Sequence, residues 1–215
     1  MAFGLANAAS TSSRLTEFEE ASIIVERNAT DGDTEVVIEA TSNDEGLRRL
    51  LIHTPDGWRV LLLSSADPTI MGVREFAFEV PEPEGDAILA AYPQETYTFH
   101  GISVTGEKFK SRAELSHLLP EPTVITNPTQ DAVVSGDALT IQWSRIQGVA
   151  EYLLEFENES ADPEQALSVN VPADSTNFEV PPSLLVPSSD YQGGIATVGE
   201  NGNIVFVENT FSTAD

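Results

Sequence analysis

The sequence predicts an all-β protein built from two consecutive β-sandwich-like domains. Three observations predict it. From Glu20 onward the apolar residues recur at every second position in short bursts, the bursts are separated by Gly, Pro and Asn-Gly turn signals, and helical periodicity is scarce. The 215 residues match two sandwiches of roughly 100 residues each. We assign residues 1–19 to a flexible leader or signal-peptide remnant, 20–119 to an N-terminal β domain and 120–215 to a C-terminal one. The break falls at Leu118-Leu119-Pro120-Glu121-Pro122, where two prolines flanking a charge make a stiff, extended connector.

In the N-terminal domain, Val36, Ile38 and Ala40 alternate with Glu35, Val37 and Glu39, the pattern of a strand with one face toward a core. Leu50 to Thr54, then Pro55-Asp56-Gly57, then Trp58 to Leu63 reads as a hairpin, because Pro presets one turn residue and Gly supplies positive φ at another. Trp58 beside that turn reads as a cover for the hairpin's own core, the alternative being a platform on which a sugar stacks. Phe76, Phe78 and Val80 form a further strand, ended by Pro81-Glu82-Pro83, and Asp86 to Tyr92 fits one short helix. A second hairpin places Tyr97, Phe99 and Gly101 on one arm and Phe109, Ser111, Ala113 and Leu115 on the other. Its returning arm alternates Lys108, Lys110, Arg112 and Glu114 with the inward residues. That row reads as cations paired crosswise with acids of the neighbouring strand, the alternative being a docking stripe for an acidic ligand.

In the C-terminal domain Leu139, Ile141 and Trp143 alternate, as do Tyr152, Leu154 and Phe156, then Phe178 and Val180. Leu185-Val186-Pro187-Ser188-Ser189-Asp190-Tyr191 follows, and Asn201-Gly202 supplies a tight turn before the last strand. These residues resemble the fibronectin type III family. The resemblance covers about 90 residues and implies an immunoglobulin-like sandwich in which Trp143 packs on the aromatic Tyr152, and in which Leu185, Pro187 and Tyr191 form a corner where the Tyr hydroxyl caps a backbone group upstream. Gly193-Gly194 departs from the family, which places bulky residues there; it implies either a bulge or a close approach to the backbone. The region from Tyr97 to His117 with its Leu-Pro exit is similar to that of exported bacterial proteins carrying one type III module. No Arg-Gly-Asp tripeptide occurs.

The charge narrows the partners. Against 35 acids stand 10 Lys and Arg, a formal net charge of −25. Up to Pro120 the count is 20 acids and 9 cations; beyond it 15 acids face Arg145 alone. Such a field repels nucleic-acid phosphates and anionic lipid head groups, so neither nucleic acid nor membrane insertion is expected, and no apolar run of about 18 residues exists to span a bilayer. The acids are dispersed, as on a solvated surface. At the N-terminus, an apolar stretch running into Ala6-Asn7-Ala8 has the small-x-small form of a secretory cleavage site, which points to an extracellular or periplasmic protein.

Chemistry is thin. The chain has no cysteine, which excludes disulfides, thiolate metal sites and a Cys nucleophile. There is no Gly-x-Ser-x-Gly elbow and no phosphate-binding glycine motif. His53, His100 and His117 match no short metal-ligand spacing. Asn28, Asp31, Asp33 and Glu35 form the one dense oxygen-ligand cluster, a calcium candidate whose plainer reading is an Asp-Gly turn. Asn28 and Asn158 each begin an N-glycosylation pattern. The expected role is an exported, non-catalytic binding or adhesion protein, with no required cofactor, presenting sandwich loops and edges to a protein or glycan. The alternative is a self-assembling subunit of an extracellular fibre or surface layer built by β-strand exchange.

Overall fold

In the computed structural model of the chain, residues 15–65, 72–80, 85, 87–161 and 165–215 are described. Their strands are β1 (Glu20–Asn28), β2 (Thr34–Thr41), β3 (Leu47–His53), β4 (Arg59–Ser64), β5 (Glu75–Val80), β6 (Glu95–Ser103), β7 (Lys108–Leu115), β8 (Ile125–Asn127), β9 (Ala132–Val134), β10 (Leu139–Trp143), β11 (Val149–Asn158), β12 (Gln165–Pro172), β13 (Asn177–Val180), β14 (Asp190–Gly199) and β15 (Ile204–Thr213). The one α-helix among the described residues is α1 (Ala87–Ala91), inside the span the sequence reserves for it. The protein is all-β. Its strands form one sheet ordered β12-β11-β14-β15-β1-β2-β5, with β9 also on β15, a second ordered β13-β10-β8 and a third ordered β4-β3-β6-β7.

The chain gathers into two compact units that are not consecutive in sequence. One comprises Met1–Ser22, Glu39–Ala77 and Thr96–Glu114; the other comprises Ile23–Ile38, Phe78–Glu95 and Leu115–Asp215. The sequence reading instead draws a single boundary at Pro120. Residues 1–14 of its leader lie outside the described residues, and Phe18, also placed in that leader, is buried against Phe109 and Phe99 with ring centroids 5.5 and 6.4 Å away.

In the second unit, β8, β10 and β13 face the sheet of β12, β11, β14 and β15 across a core of Leu139, Ile141, Trp143, Tyr152, Leu154, Phe156, Tyr191, Ile195 and Phe211. Each belongs to a period-2 row, so the alternation turns one face of each strand inward. Trp143 meets Tyr152 edge-on with centroids 5.5 Å apart, and the Tyr152 hydroxyl accepts the Ile146 N–H at 2.8 Å. Phe156, Tyr191 and Phe211 stack, with Tyr191 and Phe211 5.3 Å apart and 8° from parallel. The Tyr191 hydroxyl accepts the Val186 N–H at 2.6 Å and donates to the Leu184 carbonyl at 3.0 Å, which fixes the corner leading into β14. Leu185 is buried there, while Pro187 is exposed. Gly193 and Gly194 make no bulge: β14 keeps an unbroken register through both, and a Cβ at Gly194 would sit 3.4 Å from Glu208 Cγ, an ordinary contact. The departure from the family is therefore one of side-chain size, not of backbone path.

The same unit extends past β15. Residues Glu26 to Asn28 of β1 run parallel to Ile204 to Phe206. Asn203, 1% exposed, holds this junction: its Oδ1 accepts the Val25 N–H at 2.9 Å and its Nδ2 donates to the Ser116 and Leu118 carbonyls at 2.8 and 2.9 Å. The proline connector is tied down as well, since Thr197 Oγ1 donates to the Glu121 carbonyl at 3.0 Å.

Candidate binding surfaces

The first unit carries the two surfaces that stand out. Its core is made by Leu47, Leu50 and Ile52 of β3, Tyr97 and Phe99 of β6 and Phe109 of β7. Gly101 completes it, because a Cβ there would come within 2.8 Å of the Phe18 ring. These residues occupy one face of the β4-β3-β6-β7 sheet, so the alternate residues define an opposite, outward face.

At one edge of that sheet lies β4. The Thr54–Trp58 turn is closed by the Thr54 N–H on the Trp58 carbonyl at 2.8 Å, with Gly57 at φ 87°, a conformation that glycine adopts without strain. The hairpin of the sequence reading is present, yet Trp58 does not cover its core. It is 75% exposed. The reason is register: Ile52 pairs with Leu61 and His53 with Arg59, so a shift falls between them and Trp58 lies beyond the last pair, on the turn itself. None of the four apolar residues Val60 to Leu63 is buried, and Leu62 is 45% exposed.

The outward face is basic. In register across β4, β3 and β6 lie Ser64, Arg49 and Ile102; then Leu62, Leu51 and His100; then Arg59, His53 and Thr98. The β6–β7 hairpin closes with the Ser103 N–H on the Glu107 carbonyl at 2.9 Å, and a Cβ on Gly101 would lie 3.1 Å from Phe109 Cβ. That register sets Lys108, Lys110 and Arg112 beside Ile102, His100 and Thr98. The crosswise acids expected for these cations are thus absent from β6, where the facing residues are Thr, His and Ile. Acids reach this row from elsewhere: Glu114 stands at the end of β7, and Glu17 shares a shallow hollow with Lys110 and Arg112. His53 and His100, far apart in sequence, have ring centroids 5.6 Å apart. Burial, then the Lys110 ammonium, then His53 hold His100 below the usual imidazole range, since each disfavours a further positive charge.

The Asn28–Glu35 loop is placed differently from its reading as a four-ligand group. Asn28, Asp33 and Glu35 line a cleft of about 220 Å³ with Glu26 and Glu79, while Asp31 lies outside it and accepts the Asp33 N–H at 2.9 Å. Asn28 Oδ1 accepts the Thr30 N–H at 2.9 Å, its Nδ2 donates to Glu208 at 2.6 Å, and Asp33 Oδ1 accepts the Thr34 N–H at 2.9 Å. Among the described residues, no group of three or more His, Asp or Glu side chains is arranged to hold a metal ion. His117 Nε2 lies 2.8 Å from the Tyr92 carbonyl. The second glycosylation pattern is closed to modification in the folded chain, because Asn158 is 2% exposed and its Nδ2 donates to the Tyr191 hydroxyl at 3.2 Å.

Burial, then Glu79, then Asp33 raise the Glu35 carboxyl above its ordinary value of 4.5. The folded chain therefore holds the Glu35 proton more tightly than the unfolded one, and stability falls as pH rises from about 4.5 through the folded pKa. At pH 7 the ionised group opposes folding in full. Glu35→Gln is expected to raise the melting temperature by about 1 °C at neutral pH, with the gain vanishing below about pH 4.5; calorimetry of both proteins across that range checks it.

No protein-family model matches the sequence, and no curated protein matches it significantly. Among solved structures, the chain is similar to the FN1–FN3 domains of chicken CNTN1, at 9% identity and a TM-score of 0.36, covering 92% of this chain and only 65% of the length of that one. It is also similar to a two-domain fibronectin type III segment of chicken tenascin, at 13% identity and a TM-score of 0.32, covering 87% of this chain and 95% of that one. The likeness of the second unit to a type III sandwich lies in its own strand order, with β8, β10 and β13 opposite β12, β11, β14 and β15, and in the Tyr191 corner.

What the sequence leaves out is grouping. The basic face draws on four strands, and only their registers bring Arg49, Arg59, Lys110 and Arg112 to one side; the alternation around Lys110 was the one visible trace of it.

Proposed function

We propose that the chain is an exported, non-catalytic binding or adhesion protein that takes a protein or glycan partner along the β4 edge and the hairpin tip at Trp58. The observation that carries this reading is the 75% exposure of Trp58 at the head of a strand none of whose four consecutive apolar residues is fully buried, with Leu62 45% exposed on the outward face. Full burial of one such apolar side chain is worth about 1.5–3 kcal/mol, and a partner covering this edge recovers that term. Tryptophan is also the residue most enriched among interface hot spots. Sheet edges are commonly guarded by charge or proline; β4 carries only Arg59 and, among the described residues, lies at the edge of its sheet, where its free backbone side can take an added strand. A strand from a second copy is the fibre-subunit alternative, and it rests on the same edge. The Ala6-Asn7-Ala8 sequence supports export. Among the described residues no helix is long and apolar enough to cross a membrane.

The test uses Trp143→Phe, which leaves Trp58 as the sole indole, titrated with panels of glycans and extracellular proteins. A true partner shifts Trp58 emission, and Trp58→Ala weakens its binding by about thirtyfold or more, the ≥2 kcal/mol of a hot spot, with no change in melting temperature. A partner that binds Trp58→Ala as tightly as the parent chain places the site elsewhere.

A further inference from the structure

The acids and cations are segregated between the two units. Ile23–Ile38, Phe78–Glu95 and Leu115–Asp215 hold 24 acids against two cations, Arg27 and Arg145; the other unit holds 11 acids and eight cations, and together these make the chain's 35 and 10. Of those eight, Arg49, Arg59, Lys108, Lys110 and Arg112 share the outward face of the β4-β3-β6-β7 sheet, beside His53 and His100. Like charges set side by side on one sheet face oppose folding, so this face is built at a cost that a bound anion relieves.

A complementary surface lies in the other unit. On β11 the residues alternating with buried Tyr152, Leu154 and Phe156 include Glu151 and Glu155, and Gly194 of β14 separates Glu155 from Glu208 on β15. Their hydrogen-bond partners are neutral: Asn170 Nδ2 donates to Glu151 at 3.2 Å, Ser168 Oγ to Glu155 at 3.4 Å, and Gln192 Nε2 to Glu208 at 3.2 Å. Their charge is therefore left uncompensated by any cation among these contacts. Glu151 and Glu155 are four residues apart, as are Lys108 and Arg112, so both rows span about 13.6 Å at ~3.4 Å per residue.

We infer that the basic face of the β4-β3-β6-β7 sheet in one copy docks on the β11–β15 carboxylates of another copy, a head-to-tail contact between identical chains. Because the two surfaces differ, the contact is heterologous and propagates into chains of copies unless the rotation closes a ring. Four strands ~4.8 Å apart and about 17 Å long offer only about 300 Å², so the contact is weak and is read at about hundreds of micromolar chain. Salt dependence is its signature. At ~0.01 M salt the ~30 Å Debye length lets the two net negative bodies repel as wholes; at ~0.1 M that repulsion is screened beyond ~10 Å while facing charges still attract; at ~1 M both are lost.

Sedimentation velocity of the full chain tests this at about those three salt concentrations. The contact predicts association at the middle one only. Lys110→Glu with Arg112→Glu, and separately Glu151→Lys with Glu155→Lys, are each expected to weaken it at least tenfold, while an equimolar mixture of the two variants associates again. All four positions are solvent-accessible, so an unchanged circular dichroism spectrum accompanies these results, and the melting temperature moves only by the like-charge repulsion that each variant relieves or adds. Parent chain that stays monomeric at every salt, a face variant that associates like the parent, or a mixture that stays monomeric each overturns the inference. Retention of the monomeric parent on immobilised polyglutamate, lost with Lys110→Glu and Arg112→Glu, overturns it in favour of a foreign acidic partner. Trp58 is intact in all these proteins, so their outcome is independent of the partner proposed for the β4 edge.

Discussion

Trp143→Ala is expected to cost about 3–5 kcal/mol, the range for deleting a buried aromatic from a packed core. The indole is 3% exposed, stands edge-on to Tyr152 and belongs to the cluster that joins β10 to β11 and β14. A sandwich cannot close that gap cheaply, because the strands on either side are held by their ladders and only neighbouring side chains can relax. Total stability of domains is about 5–15 kcal/mol, so the variant keeps little margin. Trp143→Phe separates packing from polarity. Among the described residues the buried indole Nε1 has no hydrogen-bond partner, so its removal forfeits no bond to them and relieves a desolvated donor. We expect Phe to cost less than half of what Ala costs; urea denaturation of the three proteins measures both differences.

The second large effect falls on Asn203. Asn203→Ala leaves the Val25 N–H and the Ser116 carbonyl without the partner they share, while the Leu118 carbonyl keeps the Asn201 Nδ2 as a donor at 2.9 Å. Leaving a buried polar group unpaired costs about 1–3 kcal/mol, and water that enters the space recovers part of it, so we expect a loss of about 2–4 kcal/mol, or roughly 5–15 °C in melting temperature. Asn203→Asp tests the assignment more sharply. It keeps an acceptor for Val25 but turns a carboxylate toward two carbonyl oxygens, and is expected to destabilise at least as much as Ala. Hydrogen exchange at Val25 and at Ala29, whose N–H donates to the Phe206 carbonyl at 2.8 Å, should accelerate in both variants before the rest of the sheet opens.

Much of this fold is legible in the sequence because sheets translate local pattern directly into burial. Rows such as Leu139, Ile141 and Trp143, or Tyr97 and Phe99, alternate in sequence and face inward in space, and the Tyr191 corner is a short, local constellation. What stays hidden is non-local. The parallel pairing of Glu26–Asn28 with Ile204–Phe206 joins segments at opposite ends of the chain, and nothing in either segment names its partner. Asn203 reads as the tail of an Asn-Gly turn; its three side-chain bonds depend on that same pairing. Trp58 misleads for a different reason. A large apolar residue beside a hairpin normally helps to cover it, and the register shift after Ile52, which turns Trp58 out, leaves no mark in composition or spacing. The cations of β7 were visible as a row, but their significance depends on Arg49 and Arg59 arriving from other strands.

The two indoles occupy opposite environments, one sealed in the sandwich and one exposed to solvent, and acrylamide quenching of the single-tryptophan variants reads both. In Trp58→Phe the remaining Trp143 should emit at short wavelength and resist quenching until the chain unfolds, whereas in Trp143→Phe the remaining Trp58 should emit and quench as indole does in water. A Trp143 that quenches freely in the native protein, or a Trp58 that does not, would contradict the account.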